Sequence, residues 1–261
     1  MSARSHGPQA TSAGGADRWP RGPDEPRLAS GAVHVWRADL TTVGPDVVAS
    51  LNAEERARAE LIVRATDRRL WSSARGVLRA LLARYLGGDA ARVELLVGTH
   101  GKPELVSDRG QRPELFFNLS HSRNLALYAC SSHAPVGVDV QALRDGRRRT
   151  GVDHVALARS AFGEREARRL SLVSPARREW EFLRAWTRHE AELKRLGRGI
   201  GIGAGGDDGA GDQPDRDGAA ARPAEPCRPS WVVELDVGRR AVAALALHGE
   251  PSELQQWSWR A

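Results

Sequence analysis

Cysteine and long apolar runs are both scarce in this chain of 261 residues. Apolar stretches such as Val77–Leu82 are far shorter than the roughly 20 residues that a membrane-spanning helix needs. The first thirty residues lack the apolar core of a secretory signal. The two cysteines, Cys130 and Cys227, do not suggest a disulfide framework, so we expect free thiols in a reducing cytoplasm. These absences argue against a membrane protein and against a small secreted domain.

Lysine is also nearly absent, although the chain is basic. Lys102 and Lys194 are its two lysines, while the formal net charge is +6 and the isoelectric point is about 10.2. Codon bias explains the excess of arginine, but a positive field also attracts acidic or phosphorylated partners. Where arginine is the default cation, a remaining lysine marks a position that needs a compact, flexible ammonium group. The arginines are spread through helices without a nucleic-acid-binding motif or interleaved aromatics, so we expect no nucleic-acid partner.

Composition divides the chain into two predicted lobes. Residues 1–30 are rich in Gly, Pro, Ser and Ala and predict a disordered tail, and residues 203–229 predict a mobile insertion. The N-terminal lobe would cover residues 31–134 and the C-terminal lobe residues 135–261. Both mix long helices with short strands, which predicts an α+β fold. We expect a pseudo-two-fold pair of similar lobes, each with a small antiparallel sheet packed on long helices, and an active site in the cleft between them.

Apolar periodicity predicts the individual elements. Residues 32–40 alternate as a strand, and residues 66–86 carry a helical apolar stripe that Gly87 and Gly88 end. Asn52 or Ser50 is the predicted N-cap of the preceding helix. Further strands are predicted at residues 93–97, 114–120, 124–130, 135–140, 231–236 and 240–247, and further helices at residues 152–162, 163–170 and 175–196.

Two polar segments of the N-terminal lobe are candidate ligand contacts. Gly101-Lys102-Pro103 is a turn with a cation at its tip, for which a solvated lysine is the simpler interpretation. Asn118-Leu119-Ser120-His121-Ser122 ends an apolar strand and concentrates hydrogen-bonding side chains. A hairpin turn held by side-chain-to-backbone bonds explains that cluster as well. No G-x-S-x-G elbow surrounds Ser120, which argues against a serine hydrolase.

Two segments of the C-terminal lobe bring charged side chains together. Asp139 and Gln141 are two apart on a predicted strand, so they face one side, where they hold a hard cation such as Mg²⁺ or lie at an exposed edge. Trp186, Glu190 and Lys194 are spaced i, i+4, i+8 and share one helical face. A solvated Glu–Lys pair is the alternative, but these charges beside a buried tryptophan are costly unless they serve a ligand or each other.

In this order, the GKP, NLSHS, GVDVQ and WTRHEAELKRLGRG segments resemble the 4′-phosphopantetheinyl transferase superfamily, specifically its two-lobed, Sfp-like type that acts in secondary metabolism. The resemblance runs from about Glu54 to Gly199. It implies an enzyme that moves the 4′-phosphopantetheine group of coenzyme A onto a serine of an apo acyl- or peptidyl-carrier protein and releases adenosine 3′,5′-bisphosphate. We expect this enzyme to be magnesium-dependent, cytoplasmic and monomeric, without a membrane partner.

The resemblance also implies residue roles at the matching positions. Asp139, Glu190 and Gln141 would bind Mg²⁺, although the family often has a charged glutamate where Gln141 stands. Glu190 would take the serine proton, and Lys194 would neutralise the pyrophosphate. The residues implied to contact coenzyme A are Arg58, Arg75, Lys102, Ser120, His121 and Lys194.

A second hypothesis is a coenzyme A-binding or carrier-binding module with impaired catalysis. Gln141 would then indicate the impaired catalysis, because an amide adds no charge to a metal site. The presence of Asp139, Glu190 and Lys194 together argues against this hypothesis.

Overall fold

A computed structural model describes residues 19–97, 102–106, 115–143, 151–198 and 230–260, which form an α+β fold. Its strands are β1 (Ala32–Asp39), β2 (Leu95–Val97), β3 (Pro103–Leu105), β4 (Phe116–Ser122), β5 (Leu125–Ser131), β6 (Gly137–Ala142), β7 (Trp231–Leu235), β8 (Ala241–Leu247) and β9 (Glu253–Ser258). Its helices are α1 (Pro45–Ala49), α2 (Ala53–Glu60), α3 (Ala65–Leu86), α4 (His154–Phe162), α5 (Glu164–Ser171) and α6 (Pro175–Arg195).

The first sheet has the strand order β4-β5-β1-β9. β5 pairs antiparallel with both β4 and β1, whereas β9 pairs parallel with β1 and places Trp257 opposite Trp36. The sequence pattern does not predict β9, because Leu254 and Trp257 are the apolar residues of a segment that is otherwise polar. The last strand of the chain therefore completes a sheet built mainly from the first half.

The second sheet is antiparallel, with the order β6-β8-β7, and β2 pairs with β3 in a separate two-stranded sheet. The predicted hairpin over residues 231–236 and 240–247 is confirmed as β7 and β8. Every residue of β8 is buried, because one of its faces meets the first sheet and the other meets α6.

Side chains alternate along β1 and divide the interior into two cores. Trp36 faces α3, where it joins Leu78 and Leu82 in the first core. Val33 lies in the second core with Val140, between the two sheets. The protein is therefore layered: α3 covers the outer face of the first sheet, the two sheets face each other, and α6 covers the outer face of the second.

Small residues let α6 lie directly on the second sheet. Ala191 of α6 packs with Ala244 and Ala246 of β8. At Gly137, an added Cβ would lie 1.9 Å from the carbonyl oxygen of Ala191 and 2.5 Å from the backbone nitrogen of Arg195. No side chain fits there without moving backbone, so glycine is required for this approach. The approach brings the last turns of α6 against the start of β6.

Local sequence signals determine where α2 begins and where α3 ends. Of the two predicted caps, Asn52 caps α2: its Oδ1 accepts from the Glu55 N–H at 2.8 Å, and its own N–H donates to Glu55 Oε2 at 3.0 Å. This reciprocal pair is a capping box. The predicted stop at Gly87 is confirmed, because Gly87 follows α3 in the left-handed region with a φ of 68°.

Residues 19–30 differ from the tail predicted over residues 1–30. Trp19 is buried in the core between the sheets, and its Nε1 donates to the carbonyl oxygen of Asp236 at 2.8 Å. The Gly22 N–H donates to the carbonyl oxygen of Ser258 at 3.1 Å, beside β9. Trp19 in the second core and Leu28 against the first core supply apolar contacts, so this part of the segment packs on the sheet.

Three further predictions concern the insertion, the cysteines and membrane-spanning helices. The insertion predicted at residues 203–229, which includes Cys227, lies outside the described residues. Cys130 is a buried free thiol whose pKa is raised to about 12 by its burial. Within the described part of the chain, no helix is both long enough and apolar enough to cross a membrane.

Candidate active site

Three elements meet at one buried carboxylate. Asp139 of β6 is 2% exposed, and its Oδ1 accepts hydrogen bonds from Ser120 Oγ of β4 at 2.8 Å and from Lys194 Nζ of α6 at 2.7 Å. Lys194 Nζ also donates to Ser120 Oγ at 3.0 Å, which closes a triangle of hydrogen bonds. A buried carboxylate is tolerated only with such partners. We call these three residues the Asp139 cluster.

Glu190 lies one helical turn before Lys194 and is half-buried. Its pKa is raised, first by burial and then by the negative charge of Asp139, while the positive charge of Lys194 opposes the shift. The negative charge of Asp139 beside Glu190 makes this a site that favours a cation. A carboxylate with a raised pKa is also a better proton acceptor near neutral pH.

Lys102 lies against the end of α6. Its Nζ donates to the carbonyl oxygen of Lys194 at 3.1 Å. Burial lowers the pKa of Lys102, although the negative charge of Glu104 acts to raise it. A lysine that binds one of the last carbonyls satisfies an unpaired acceptor and neutralises the negative helix end. The ammonium group of Lys102 therefore lies on the backbone of the other lysine, a contact that the sequence analysis did not predict.

Strand geometry separates two neighbouring residues that were predicted to contact coenzyme A. Ser120 faces the second sheet and belongs to the Asp139 cluster. His121 pairs with Ala126 on the face of the first sheet that α3 covers. Alternation along a strand makes this separation inevitable.

Gln141 lies beside Asp139 with its amide nitrogen turned toward the carboxylate. Its Nε2 is 3.5 Å from Asp139 Oδ2. Metal ligation through the amide oxygen would require the amide to turn over. The predicted ligand role of Gln141 therefore stays a prediction.

The two predicted arginine contacts lie on α2 and α3. Arg75 Nε donates to Glu55 Oε1 at 2.5 Å, and Arg58 is exposed on α2. Glu55 also binds Arg79, which is 1% exposed and donates to both of its carboxylate oxygens. Sequence reasoning missed this buried pair, although an arginine inside the apolar stripe of α3 was its visible signal.

The donor set fits one kind of metal site. Among the described residues, no group of three or more His, Cys, Asp and Glu side chains is placed to hold a metal ion. The Asp139 cluster and the neighbouring Glu190 together offer two carboxylates, with the amide of Gln141 nearby. Mg²⁺ usually takes one or two carboxylates, with water and substrate phosphates completing its shell. The residues therefore fit a Mg²⁺ that is shared with a phosphate-bearing substrate.

Two surface cavities lie elsewhere. One of about 820 Å³ is lined by residues 24–27 and the end of α3, and one of about 380 Å³ is lined by Trp180 and its neighbours. Neither is lined by a member of the Asp139 cluster. The chemistry-bearing groups of the Asp139 cluster identify this site.

Comparisons with family models and relatives show which proteins the chain is similar to. A model described as 4′-phosphopantetheinyl transferase, N-terminal, matches residues 37–133, and that of the 4′-phosphopantetheinyl transferase superfamily matches residues 135–243. The 4′-phosphopantetheinyl transferase HetI of Nostoc sp. is 32% identical over 249 residues, which cover 92% of this chain and 98% of that protein. A putative 4′-phosphopantetheinyl transferase of Synechocystis sp. is 34% identical over 159 residues, or 61% of this chain and 62% of that protein. The human L-aminoadipate-semialdehyde dehydrogenase-phosphopantetheinyl transferase is 26% identical over 160 residues, or 59% and 51%.

Proposed function

The chain belongs to the 4′-phosphopantetheinyl transferase superfamily, and we propose that it transfers the 4′-phosphopantetheine group of coenzyme A to a serine of an apo acyl- or peptidyl-carrier protein. The observation that carries this proposal is the Asp139 cluster, with Glu190 one turn away on α6. It combines a fixed ammonium group, a hydroxyl and two carboxylates, which suits the transfer of a phosphoryl-linked group.

The proposed reaction is a displacement at phosphorus. The carrier serine oxygen bonds to the β-phosphorus of coenzyme A, and the bond from that phosphorus to the bridging oxygen breaks. The electron pair leaves with adenosine 3′,5′-bisphosphate, and the serine proton passes to Glu190. The raised pKa of Glu190 supports its role as the acceptor.

Lys194 would bind the pyrophosphate and stabilise the charge that develops on the leaving group. An ammonium group has three N–H donors, and the Asp139 cluster uses two of them. The third can meet a phosphate oxygen without breaking the cluster. Such a pre-placed charge lowers the barrier because it needs no reorganisation during the reaction.

Asp139 and Glu190 would hold the metal, with Gln141 beside them. Bound Mg²⁺ would supply Lewis-acid polarisation of the pyrophosphate oxygens. Arg58, Arg75, Lys102, Ser120 and His121 stay our predicted contacts of coenzyme A. The pseudo-two-fold relation of the lobes, the cleft between them, the Sfp-like subtype, the role in secondary metabolism, the monomeric state and the cytoplasmic location are proposals from the sequence.

The test is mass spectrometry of an apo-carrier protein incubated with the enzyme, coenzyme A and Mg²⁺. We expect the carrier to gain the mass of one phosphopantetheine group and to gain none when EDTA is added. Binding of coenzyme A without any mass gain on several apo-carriers would favour the impaired binding module instead.

Two substitutions connect this activity to the site. Asp139→Ala and Glu190→Ala should each abolish transfer, because each removes a charged group from the proposed metal site. Glu192→Ala is the matched control, since Glu192 lies on the same helix and pairs with Arg195. Near-normal turnover of either site variant at saturating Mg²⁺ would contradict the metal assignment.

A further inference from the structure

The strand that carries Asp139 is held at its free edge by side chains. β6 is an edge strand of the second sheet, and its N–H groups at alternate positions point away from β8 toward β4. Three hydrogen bonds follow: the N–H groups of Val138, Val140 and Ala142 donate to the side-chain oxygens of Asn118 (2.9 Å), Ser120 (3.3 Å) and Ser122 (3.0 Å). We call this set the β4–β6 ladder.

The ladder replaces a missing strand. An edge N–H group buried without a partner is costly, and β4 removes that cost through side chains spaced two residues apart on one face. Asn118 is 5% exposed and Ser120 is 6% exposed, so these rungs are shielded from water. A buried hydrogen bond of this kind fixes a position more firmly than an exposed one.

Ser120 has a double function at the centre of the ladder. Its hydroxyl accepts from the Val140 N–H and from Lys194 Nζ, and it donates to Asp139 Oδ1. One donor and two acceptors are the full capacity of a hydroxyl group. The position of β6 along the direction of β4 therefore decides whether Asp139 and Lys194 can both reach Ser120.

We propose that Asn118 and Ser122 are positioning residues for the transferase reaction. Their described hydrogen bonds go to the backbone of β6, at the rungs on either side of Ser120. By fixing β6 from both sides, they hold the Asp139 carboxylate against Ser120 and Lys194. The name of the reaction rests on the function proposed above, whereas the placement of Asp139 rests on the ladder itself.

The scarcity of lysine makes this placement measurable. With two lysines in the chain, acylation by N-hydroxysuccinimidyl acetate followed by peptide mass spectrometry resolves Lys194 from Lys102. Lys194 Nζ is shielded while it is bound by Asp139 and Ser120. A looser β6 releases the ammonium group, so its acylation becomes faster.

The experiment compares three variants of the full chain without coenzyme A. Ser122→Ala removes one rung, Ser122→Thr keeps the hydroxyl, and Ser131→Ala removes a buried hydroxyl of β5 that contacts His133 rather than β6. We expect Ser122→Ala to accelerate the acylation of Lys194 about fivefold, the factor that corresponds to one hydrogen bond of about 1 kcal/mol. The other two variants should match the wild type.

Calorimetric titration with Mn²⁺ gives a second readout. Ser122→Ala should weaken Mn²⁺ binding by a similar factor and lower kcat while the KM for coenzyme A stays unchanged. If Ser122→Ala does not fold, the test is repeated at the hydrogen bond between Asn118 and the Val138 N–H. Asn118→Leu removes the accepting oxygen, and Asn118→Asp keeps it.

The outcomes separate the two proposals. An unchanged rate of Lys194 acylation in Ser122→Ala, or an equal acceleration in Ser131→Ala, overturns the positioning role. A selective acceleration in a protein that binds no Mn²⁺, even when coenzyme A is present, supports the positioning role and contradicts the metal site of the proposed function.

Discussion

Gly137→Ala is the most direct test of how the site is assembled. The added Cβ would lie 1.9 Å from the carbonyl oxygen of Ala191, whereas ordinary contact begins at 3.4 Å, so α6 must retreat by about 1.5 Å. A retreat of that size carries Lys194 Nζ from 2.7 Å to beyond the roughly 3.2 Å reach of a hydrogen bond to Asp139. A misplacement of about 1 Å costs on the order of 100-fold in rate, and overpacking costs about 2 kcal/mol of stability.

The assay measures both quantities in the same variant. Initial rates of carrier loading should fall about 100-fold in kcat/KM, and the free energy of unfolding should fall by about 2 kcal/mol in denaturant titrations. Gly249→Ala is the matched control, since nothing lies within 4 Å of a Cβ at that position. A stable and fully active Gly137→Ala would refute the close packing of α6 on β6. A destabilised but fully active variant would refute its role in placing Lys194.

Three further predictions follow from charge. At a pH above the raised pKa of Glu190, Glu190→Gln should raise the free energy of unfolding in metal-free buffer, because burial and Asp139 disfavour the ionised carboxylate. This gain in stability should vanish as the pH falls below 4.5, where the carboxyl is neutral in the folded and the unfolded state. A gain that persists at low pH would contradict the raised pKa. Burial lowers the pKa of His34 to about 4, so acid titration should remove about 3 kcal/mol of stability between pH 6.5 and pH 4, and His34→Gln should abolish that loss. Lys194→Arg should lower kcat about tenfold, because the planar guanidinium group cannot place a point charge on the leaving group. Lys102→Arg should mainly raise the KM for coenzyme A. Steady-state kinetics that show the reverse would contradict both roles.

Periodicity predicts the elements of this fold better than their pairing. The strand at residues 32–40 and the helix at residues 66–86 are confirmed within one residue at each end, because each shows a strong, uniform apolar pattern. β9 is missed, since its stability comes from pairing with β1 rather than from its own composition. Trp19 is missed for the same reason: its packing depends on a partner more than two hundred residues away.

For the candidate site too, the sequence predicts positions within one element but not the contacts between elements. Spacing places Glu190 and Lys194 on one face of α6, and the structure confirms that shared helix. Spacing does not show that Ser120 reaches Asp139 across the two sheets, since that contact depends on how their strands meet. The requirement for glycine at position 137 was equally hidden, because it reflects the backbone of α6 rather than any local turn.

The parallel pairing of β1 with β9 also governs the order in which the protein can fold as it is synthesised. Ala32 pairs with Glu253, so the two partners are 221 positions apart in the chain. At about 5–20 residues per second, a ribosome would leave that edge of β1 unpaired for roughly 10–40 s. Such an edge is a template for pairing with other chains, and a nascent molecule is exposed to aggregation during this interval. A truncation before Glu253 would remove β9 and therefore damage the sheet that is built first.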